Sequence, residues 1–240
     1  MLKSIGQDIW VEEREFAMGL IDFGARMTVI RLSDGGLLLY SPVEIDDALA
    51  GELKALGEVK HILAPNAFHY LFVETAKKRY PEATVYGTRA LAKKRPALPI
   101  DEQLVDEAPA SWSESVDFIR VDGAPKMDEV VLYHRASGTL VICDLVFHFQ
   151  EVRGWFGRFF FRMLGVFGRV QQSPLWRFVL TKDRAAAETS LRPIWAWDIE
   201  RVVMSHGRII EGSDAKARLA GGLSWMCATH AHPELMSETS

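Results

Sequence analysis

Residues 139–147 (TLVICDLVF) and 202–207 (VVMSHG) are the two stretches of sequence that decide the fold. Each is an apolar run that ends on or next to a polar residue able to bind a metal, Asp144 in the first and His206 in the second. Such runs are typical of interior strands, which are buried on both faces. We therefore predict two strands that deliver Asp144 and His206 to one edge of a sheet.

Length and composition predict a single domain spanning residues 1–240. The chain is 48% hydrophobic and 25% charged, ordinary proportions that argue against disorder. A net charge of −4 and a pI near 6.0 offer no concentrated basic face, so nucleic acid is not an expected partner. Two cysteines make no disulfide framework, and no apolar signal region follows the first residues, which predicts a cytoplasmic protein.

The order of patterns along the chain predicts two sheets with helices on their outer faces. Residues 27–32 and 36–41 are β-rich and flank Asp34-Gly35, a strong hairpin signal. Further strands are predicted at 60–64, 83–87, 118–121, 130–134, 139–147 and 201–204, and helices at 45–56, 71–79, 153–168, 174–180, 183–197 and 214–225. Residues 88–115 carry three prolines and predict a short helix and an irregular connection.

Residues 62–70 (ILAPNAFHY) follow a predicted strand and precede a helix. Together with Asp144 and His206, this segment resembles the metal-binding motifs of the metallo-β-lactamase-like superfamily, which carries Thr-His-x-His-x-Asp-His at this place. On that motif, Pro65 and Ala67 replace the first two histidines. His69 takes the aspartate position and Tyr70 the last histidine. The resemblance implies an α/β fold of the αββα sandwich type, with two mixed sheets flanked by helices.

The segment also resembles the Ala-Pro-Asn-x-x-His-His-Leu-Phe pattern of an uncharacterised bacterial branch of that superfamily, a family of unknown function. Tyr70 stands in place of its second histidine. The third histidine ligand of the superfamily should lie in the turn before the strand at 130–134. Residues 123–127 (GAPKM) occupy that turn and contain no ligand.

The resemblance implies a reduced metal site, because the missing ligands all belong to one half of the two-metal centre. His69, Asp144 and His206 fall on the other half, a nitrogen, oxygen and nitrogen set suited to one Zn or Fe ion. Metal-bound water would then hydrolyse a small-molecule ester, thioester, lactone or phosphoester. Asp144 and Tyr70 are the predicted catalytic residues, Tyr70 as a donor to the developing oxyanion.

Structural alternatives stand beside each of these assignments. Asp144 is also typical of a turn cap, His206 of a strand end and His69 of a helix N-terminus. The alternative function is a binding or interaction protein that kept the fold, lost the metal site and carries no metal. His148, four residues after Asp144, is a weaker candidate for the same pocket.

Residues 153–180 are predicted to form a basic aromatic helical insertion. Between residues 152 and 181 every charged side chain is an arginine and none is acidic. Aromatic residues are frequent in the same segment. This composition fits peripheral contact with an anionic membrane, a lid over a hydrophobic substrate, or a homodimer surface. The remaining alternative is a helix pair packed on the sandwich with its arginines in water.

Overall fold

Two β-sheets lie face to face in the computed structural model, which describes residues 1–19, 21–150, 152 and 154–227. Within these ranges the first sheet has the strand order β1-β2-β5-β6-β7-β8-β9. Its strands are β1 (Lys3–Gly6), β2 (Ile9–Arg14), β5 (Ala25–Arg31), β6 (Leu37–Tyr40), β7 (Val59–Leu63), β8 (Thr84–Thr88) and β9 (Glu102–Leu104). The pairs from β1 to β6 are antiparallel and those from β6 to β9 are parallel, so the sheet is mixed.

The second sheet has the order β10-β11-β12-β13-β14, and a separate hairpin is formed by β3 (Ala17–Met18) and β4 (Ile21–Asp22). Its strands are β10 (Val116–Arg120), β11 (Val130–His134), β12 (Thr139–Val141), β13 (Arg201–Val203) and β14 (Ile210–Glu211). β12 and β13 are parallel neighbours. The loops after these two strands therefore leave the sheet at the same edge, as their sequences predicted.

Helices cover the outer face of each sheet. They are α1 (Asp47–Leu56), α2 (Val73–Arg79), α3 (Arg89–Lys94), α5 (Arg184–Leu191) and α6 (Ala215–Leu223). A further helix, α4 (Trp155–Met163), contacts β4 instead. α1, α2 and α3 share a buried cluster with Leu37 and Leu39 of β6, whereas Leu38 and Tyr40 point into the core between the sheets. α5 and α6 pack in the same way on the second sheet. The period-two alternation of a strand thus builds two layers of core, and the predicted αββα sandwich is confirmed.

Two sequence predictions need correction. The first antiparallel pair is preceded by β1 (KSIG) and β2 (IWVEER), which were not predicted. β2 pairs with β5, and β1 pairs with β2. The strand predicted at 139–147 ends at Val141. Residues 142–146 form a buried loop, because the backbone N–H groups of residues 143–145 bond to a distant carboxylate, that of Glu129, and not to a neighbouring strand.

The segment predicted as a helical insertion contains α4 and a π-helical turn at Leu175–Leu180; Arg153, its first residue, lies outside the described residues. α4 buries Phe161 in a cluster with Phe149, Val152 and Val166. Its opposite side is apolar too, with Trp155, Phe159 and Met163 largely exposed. In the part of the chain that the structure describes, no helix has the length and hydropathy needed to cross a membrane.

Candidate metal centre

The three predicted ligands, His69, Asp144 and His206, meet at one edge of the sandwich. The Nε2 atoms of the two histidines are 3.1 Å apart. His69 Nε2 lies 3.3 Å from Asp144 Oδ2, and His206 Nε2 lies 3.7 Å from Asp144 Oδ1. The three residues offer ligand atoms that all lie within 4.8 Å of one another, and no other group of this kind occurs among the described residues.

Hydrogen bonds on the far side of each ring fix the orientation of the histidines. His206 Nδ1 lies 2.6 Å from the carbonyl oxygen of Gly24. A carbonyl only accepts, so Nδ1 carries the proton, and in the neutral ring the lone pair is on Nε2, facing the cluster. His69 Nδ1 lies 2.8 Å from the hydroxyl of Ser41. Such partners on the outer nitrogen are the usual way in which proteins orient metal-binding histidines.

Asn66 and Glu129 position the Asp144 loop, and both side chains are fully buried. Glu129 accepts the backbone N–H groups of Cys143, Asp144 and Leu145 at 2.9–3.0 Å. The Asn66 amide donates to Asp144 Oδ2 at 2.9 Å and to Glu129 Oε2 at 3.3 Å. Burial and the charge of Asp144 raise the pKa of the Glu129 carboxyl to about 7, against the lowering effect of these N–H donors. The loop and the carboxylate of Asp144 are therefore held by several hydrogen bonds, from Asn66 and to Glu129.

The pKa values place one proton among the three ligands. Burial lowers the pKa of His69, but the charge and hydrogen bond of Asp144 outweigh it, and the pKa is raised overall. Burial would raise the pKa of the Asp144 carboxyl, yet His69 and His206 bring it down to about 2. Burial and the charge of His69 lower the pKa of His206 to about 4. The cluster thus favours a charged His69 between an ionised Asp144 and a neutral His206, and a metal cation would replace that proton.

Aromatic rings and a buried guanidinium enclose His206. The rings of Phe23 and Phe147 lie 6.2 Å from the His206 ring, between centroids. Phe161 of α4 packs edge-on against Phe23 at 5.3 Å, so α4 covers this side of the centre. Arg26, from β5, donates to the carbonyl oxygens of residues 204 and 207 on either side of His206. These contacts fix the turn that carries the histidine.

Other predicted site residues lie elsewhere. The Tyr70 hydroxyl accepts a hydrogen bond from Arg95 at 2.5 Å, and its ring packs with the helical layer over the first sheet, so the structure does not bring it to the three ligands. His148 is buried apart from them and bonds to Arg218 and to the backbone of Arg208. The physical reason is the direction of the chain: Tyr70 and His148 leave the site edge with their side chains turned away from it.

Backbone hydrogen bonds hold the segment that carries Pro65 and Ala67. The carbonyl of Pro65 accepts from Val130 N at 2.7 Å, and Ala67 N donates to the carbonyl of Met127 at 3.0 Å. Pro65 and Ala67 are both buried.

Sequence reasoning did not assign Asn66 or Glu129, although Asn66 is the only asparagine of the chain and follows a strand. The Asn66 side-chain oxygen accepts hydrogen bonds from the backbone N–H groups two and three residues later, and this use of asparagine is a recognisable turn signal.

The donor set fits a single divalent ion. Ligand atoms at about 2.0–2.2 Å from a tetrahedral zinc lie about 3.3–3.5 Å from one another. The two Nε2 atoms are 3.1 Å apart, close to that spacing, and each lies near a different oxygen of Asp144, His69 at 3.3 Å from Oδ2 and His206 at 3.7 Å from Oδ1. One atom from each residue can be chosen so that all three lie within 4.8 Å of one another. Two imidazoles and one carboxylate suit zinc or iron. Three protein ligands leave one tetrahedral position for water or substrate, which is the pattern of catalytic and not structural zinc sites.

A protein-family model described as "Domain of unknown function (DUF4336)" matches residues 6–154, more than half of the chain. The chain belongs to the DUF4336 family. His69 and Asp144 lie within the matched residues, whereas His206 and all of α4 lie beyond them. A search of the curated proteins found no match.

Solved structures with the same fold include metallo-β-lactamases. The DIM-1 enzyme, in a crystal exposed to ceftazidime, aligns with a TM-score of 0.64 and 12% identity over 96% of this chain and 95% of its own. A metallo-β-lactamase from Pontibacter korlensis aligns with a TM-score of 0.63 and 14% identity over 94% and 98%. The metal-soaked Flv1 flavodiiron core from Synechocystis sp. PCC6803 aligns at 0.62 and 14% over 94% and 60%. At these identities the likeness shows the metallo-β-lactamase-like fold.

Proposed function

We propose that this protein is a metal-dependent hydrolase in which His69, Asp144 and His206 hold one zinc or iron ion. The observation that carries the proposal is the convergence of two imidazole Nε2 atoms and one carboxylate at coordination spacing, on a metallo-β-lactamase-like fold. The proposed substrate is a small ester, thioester, lactone or phosphoester. Its site is mononuclear, because Pro65 and Ala67 replace the ligands of a second ion.

The chain's own residues prepare the site for this chemistry. A bound divalent ion would polarise a carbonyl or phosphoryl oxygen and lower the pKa of water. The Gly24 carbonyl and the Ser41 hydroxyl hold the two imidazole rings, while Asn66 and Glu129 hold the Asp144 carboxylate. Geometry fixed before the metal arrives reduces the reorganisation that binding requires. The rings of Phe23 and Phe147 place apolar surface beside His206, and electrostatic interactions are stronger where apolar groups exclude water.

The test combines metal analysis with turnover. Purified protein should contain at most about one zinc or iron per chain by plasma mass spectrometry. Chelated protein reloaded with Zn²⁺, Fe²⁺ or Mn²⁺ should hydrolyse members of an ester, thioester, lactone and phosphodiester panel. Asp144→Ala should abolish both the bound metal and the turnover. Asp106→Ala, at an aspartate whose side chain is 77% exposed, is the matched control and should change neither.

One observation favours a second candidate, a binding protein without catalysis. The three ligand side chains are only 9–14% exposed, and without metal they already form a satisfied proton network. Protein that is fully stable without metal and inactive with every ion on the whole panel would support this second candidate and exclude the hydrolase.

A further inference from the structure

A large cleft lies against the turn that carries His206, on the Nδ1 side of its ring, and none of the three ligand side chains lines it. Its volume is about 1360 Å³, and its wall includes Phe23 and Gly24, which contact His206, and Ser205 and Gly207, which flank it. The cleft then extends between β2, α4 and α6. It is large enough for the part of a substrate that lies away from the reacting bond.

Two arginines on one side of this cleft are fixed in place by neutral partners. Arg208 donates to the Gln150 side-chain oxygen at 2.8 Å, and Arg218 lies 3.2 Å from His148 Nε2. His148 is 2% exposed, and its Nδ1 bonds to the backbone carbonyl of Arg208 at 3.0 Å. Since a carbonyl accepts, His148 Nε2 is an acceptor in the neutral ring and can receive the guanidinium of Arg218. A buried imidazole therefore orients one cation and supports the backbone of the other.

Two further arginines reach the cleft from α4. Arg158 donates to the carbonyl of Val152 at 3.2 Å, and the Arg162 guanidinium lies 5.1 Å from the centre of the Phe167 ring. None of the four arginines has a carboxylate partner within 4.0 Å among the residues that the structure describes. Their charges are therefore not neutralised by ion pairs with the described part of the chain.

The carboxylates that line the same cleft are already engaged. Glu13 pairs with Arg26 at 2.6 Å, Glu211 lies 3.5 Å from Arg201, Asp22 accepts from Gly24 N at 2.9 Å, and Glu15 also has a partner. The cleft lining contains seven lysine and arginine side chains against four glutamate and aspartate side chains, so its net charge is positive, although the whole chain has a net charge of −4. Guanidinium groups bind planar and tetrahedral oxyanions through paired N–H donors.

We propose that this cleft binds an anionic group of the substrate, a phosphate or a carboxylate, through Arg208 and Arg218 with Arg158 and Arg162 of α4 closing over it. The inference rests on the proposed function, because it assigns the reacting bond to the neighbouring metal centre. It narrows the substrate class to small esters, thioesters, lactones or phosphoesters that carry a negative charge away from the bond that is cleaved.

Binding is tested first, on chelated full-length protein, so that no ion at the ligands contributes. Calorimetric titration with inorganic phosphate and with succinate should show binding to the wild type that weakens as NaCl is raised. The double variant Arg208→Ala/Arg218→Ala should weaken it by about tenfold for each charged hydrogen bond removed. Arg169→Ala, in the same arginine-rich segment but not lining the cleft, should leave the dissociation constant unchanged. Arg158→Ala/Arg162→Ala changes only exposed side chains and serves as the second variant if the first does not fold.

Turnover is the second arm. With metal restored, the ratio of kcat/KM for an anionic 4-nitrophenyl succinate monoester to that for neutral 4-nitrophenyl acetate should fall at least tenfold in either double variant, through KM. The inference is overturned if the wild type binds neither anion, or if the double variants bind them as tightly as Arg169→Ala does. Either result leaves metal-dependent hydrolysis untouched. Arginine-dependent anion binding without hydrolysis of any substrate would retain the anion site and refute the hydrolase.

Discussion

Replacing Asn66 by aspartate tests how the ligand loop is held, because the change alters one atom. In the wild type the Asn66 amide nitrogen donates to two buried carboxylates, at 2.9 Å to Asp144 and at 3.3 Å to Glu129. Its side-chain oxygen accepts from the backbone N–H groups of Phe68 and His69 at 2.8 and 3.0 Å. Asn66→Asp keeps the second pair of bonds and replaces the first pair with contacts between carboxylate oxygens.

The magnitude follows from those two contacts. A hydrogen bond to a charged group contributes about 1.5–3 kcal/mol, so losing two lowers the free energy of unfolding by about 3–6 kcal/mol at pH 7.5. That is a large fraction of the 5–15 kcal/mol typical of a folded domain. The added carboxyl faces two others, so its pKa in the folded state is raised. The loss should be largest above that pKa and shrink as the pH falls, because protonation removes the repulsion.

The assay is urea unfolding of chelated protein, followed by tryptophan fluorescence at pH 7.5 and pH 5.5. Gln103→Glu makes the same amide-to-acid change at an exposed position of β9 and should shift stability by less than about 0.5 kcal/mol. An Asn66→Asp protein as stable as this control at pH 7.5, or one more strongly destabilised at pH 5.5, would refute the argument that Asn66 links the two carboxylates.

Three further predictions concern parts of the chain around the centre. Phe161→Ala removes a ring that is 1% exposed and should lower the free energy of unfolding by about 3–5 kcal/mol. Phe159→Ala, at a ring that is 59% exposed, should change it by less than about 0.5 kcal/mol. Equal effects of the two variants in chemical denaturation would show that α4 packs through another face. Burial lowers the pKa of His61, so on acidification the unfolded chain takes up this proton before the folded chain does. The free energy of unfolding should therefore fall as the pH drops below about 6.5. His61→Phe should make this fall between pH 7 and pH 5 smaller, and an unchanged fall would count against the burial argument. Membrane contact through residues 153–180 stays a prediction: the chain should float with anionic vesicles, less so in high salt, and Trp155→Ser/Phe159→Ser should abolish flotation, while a change from dimer to monomer in this variant would support the homodimer alternative instead.

Local patterns were sufficient for most elements of the fold. The Asp34-Gly35 hairpin, the helix at Asp47–Leu56 and the strand at Val130–His134 have a period or a turn signal that lies within a short window of sequence. β2 differs, because the charged half of its sequence becomes a strand only through pairing with β5. Pairing across the chain is a tertiary effect that no local pattern contains.

Some features of the metal centre could likewise be predicted from local sequence, and others depend on contacts between distant parts of the chain. His69, Asp144 and His206 could be predicted because their segments resemble the metal-binding motifs of the metallo-β-lactamase-like superfamily, and their convergence because each follows an apolar strand. The end of β12 at Val141 could not be predicted, because it depends on the carboxylate of Glu129, just before β11, which accepts the N–H groups of residues 143–145. Tyr70 was expected in the site because it takes the place of the last histidine of the superfamily motif, yet its hydroxyl bonds to Arg95, a contact that the motif does not reveal.

Anomalous diffraction at the zinc absorption edge, from crystals of chelated protein soaked with Zn²⁺, tests the central claim most directly. The account predicts one strong peak about 2 Å from His69 Nε2, His206 Nε2 and an Asp144 oxygen, with no second peak near Pro65 or Ala67. It also predicts that this peak is absent from Asp144→Ala crystals soaked in the same way. A wild-type map with no peak between the three side chains, or with zinc bound by other residues, would contradict the account.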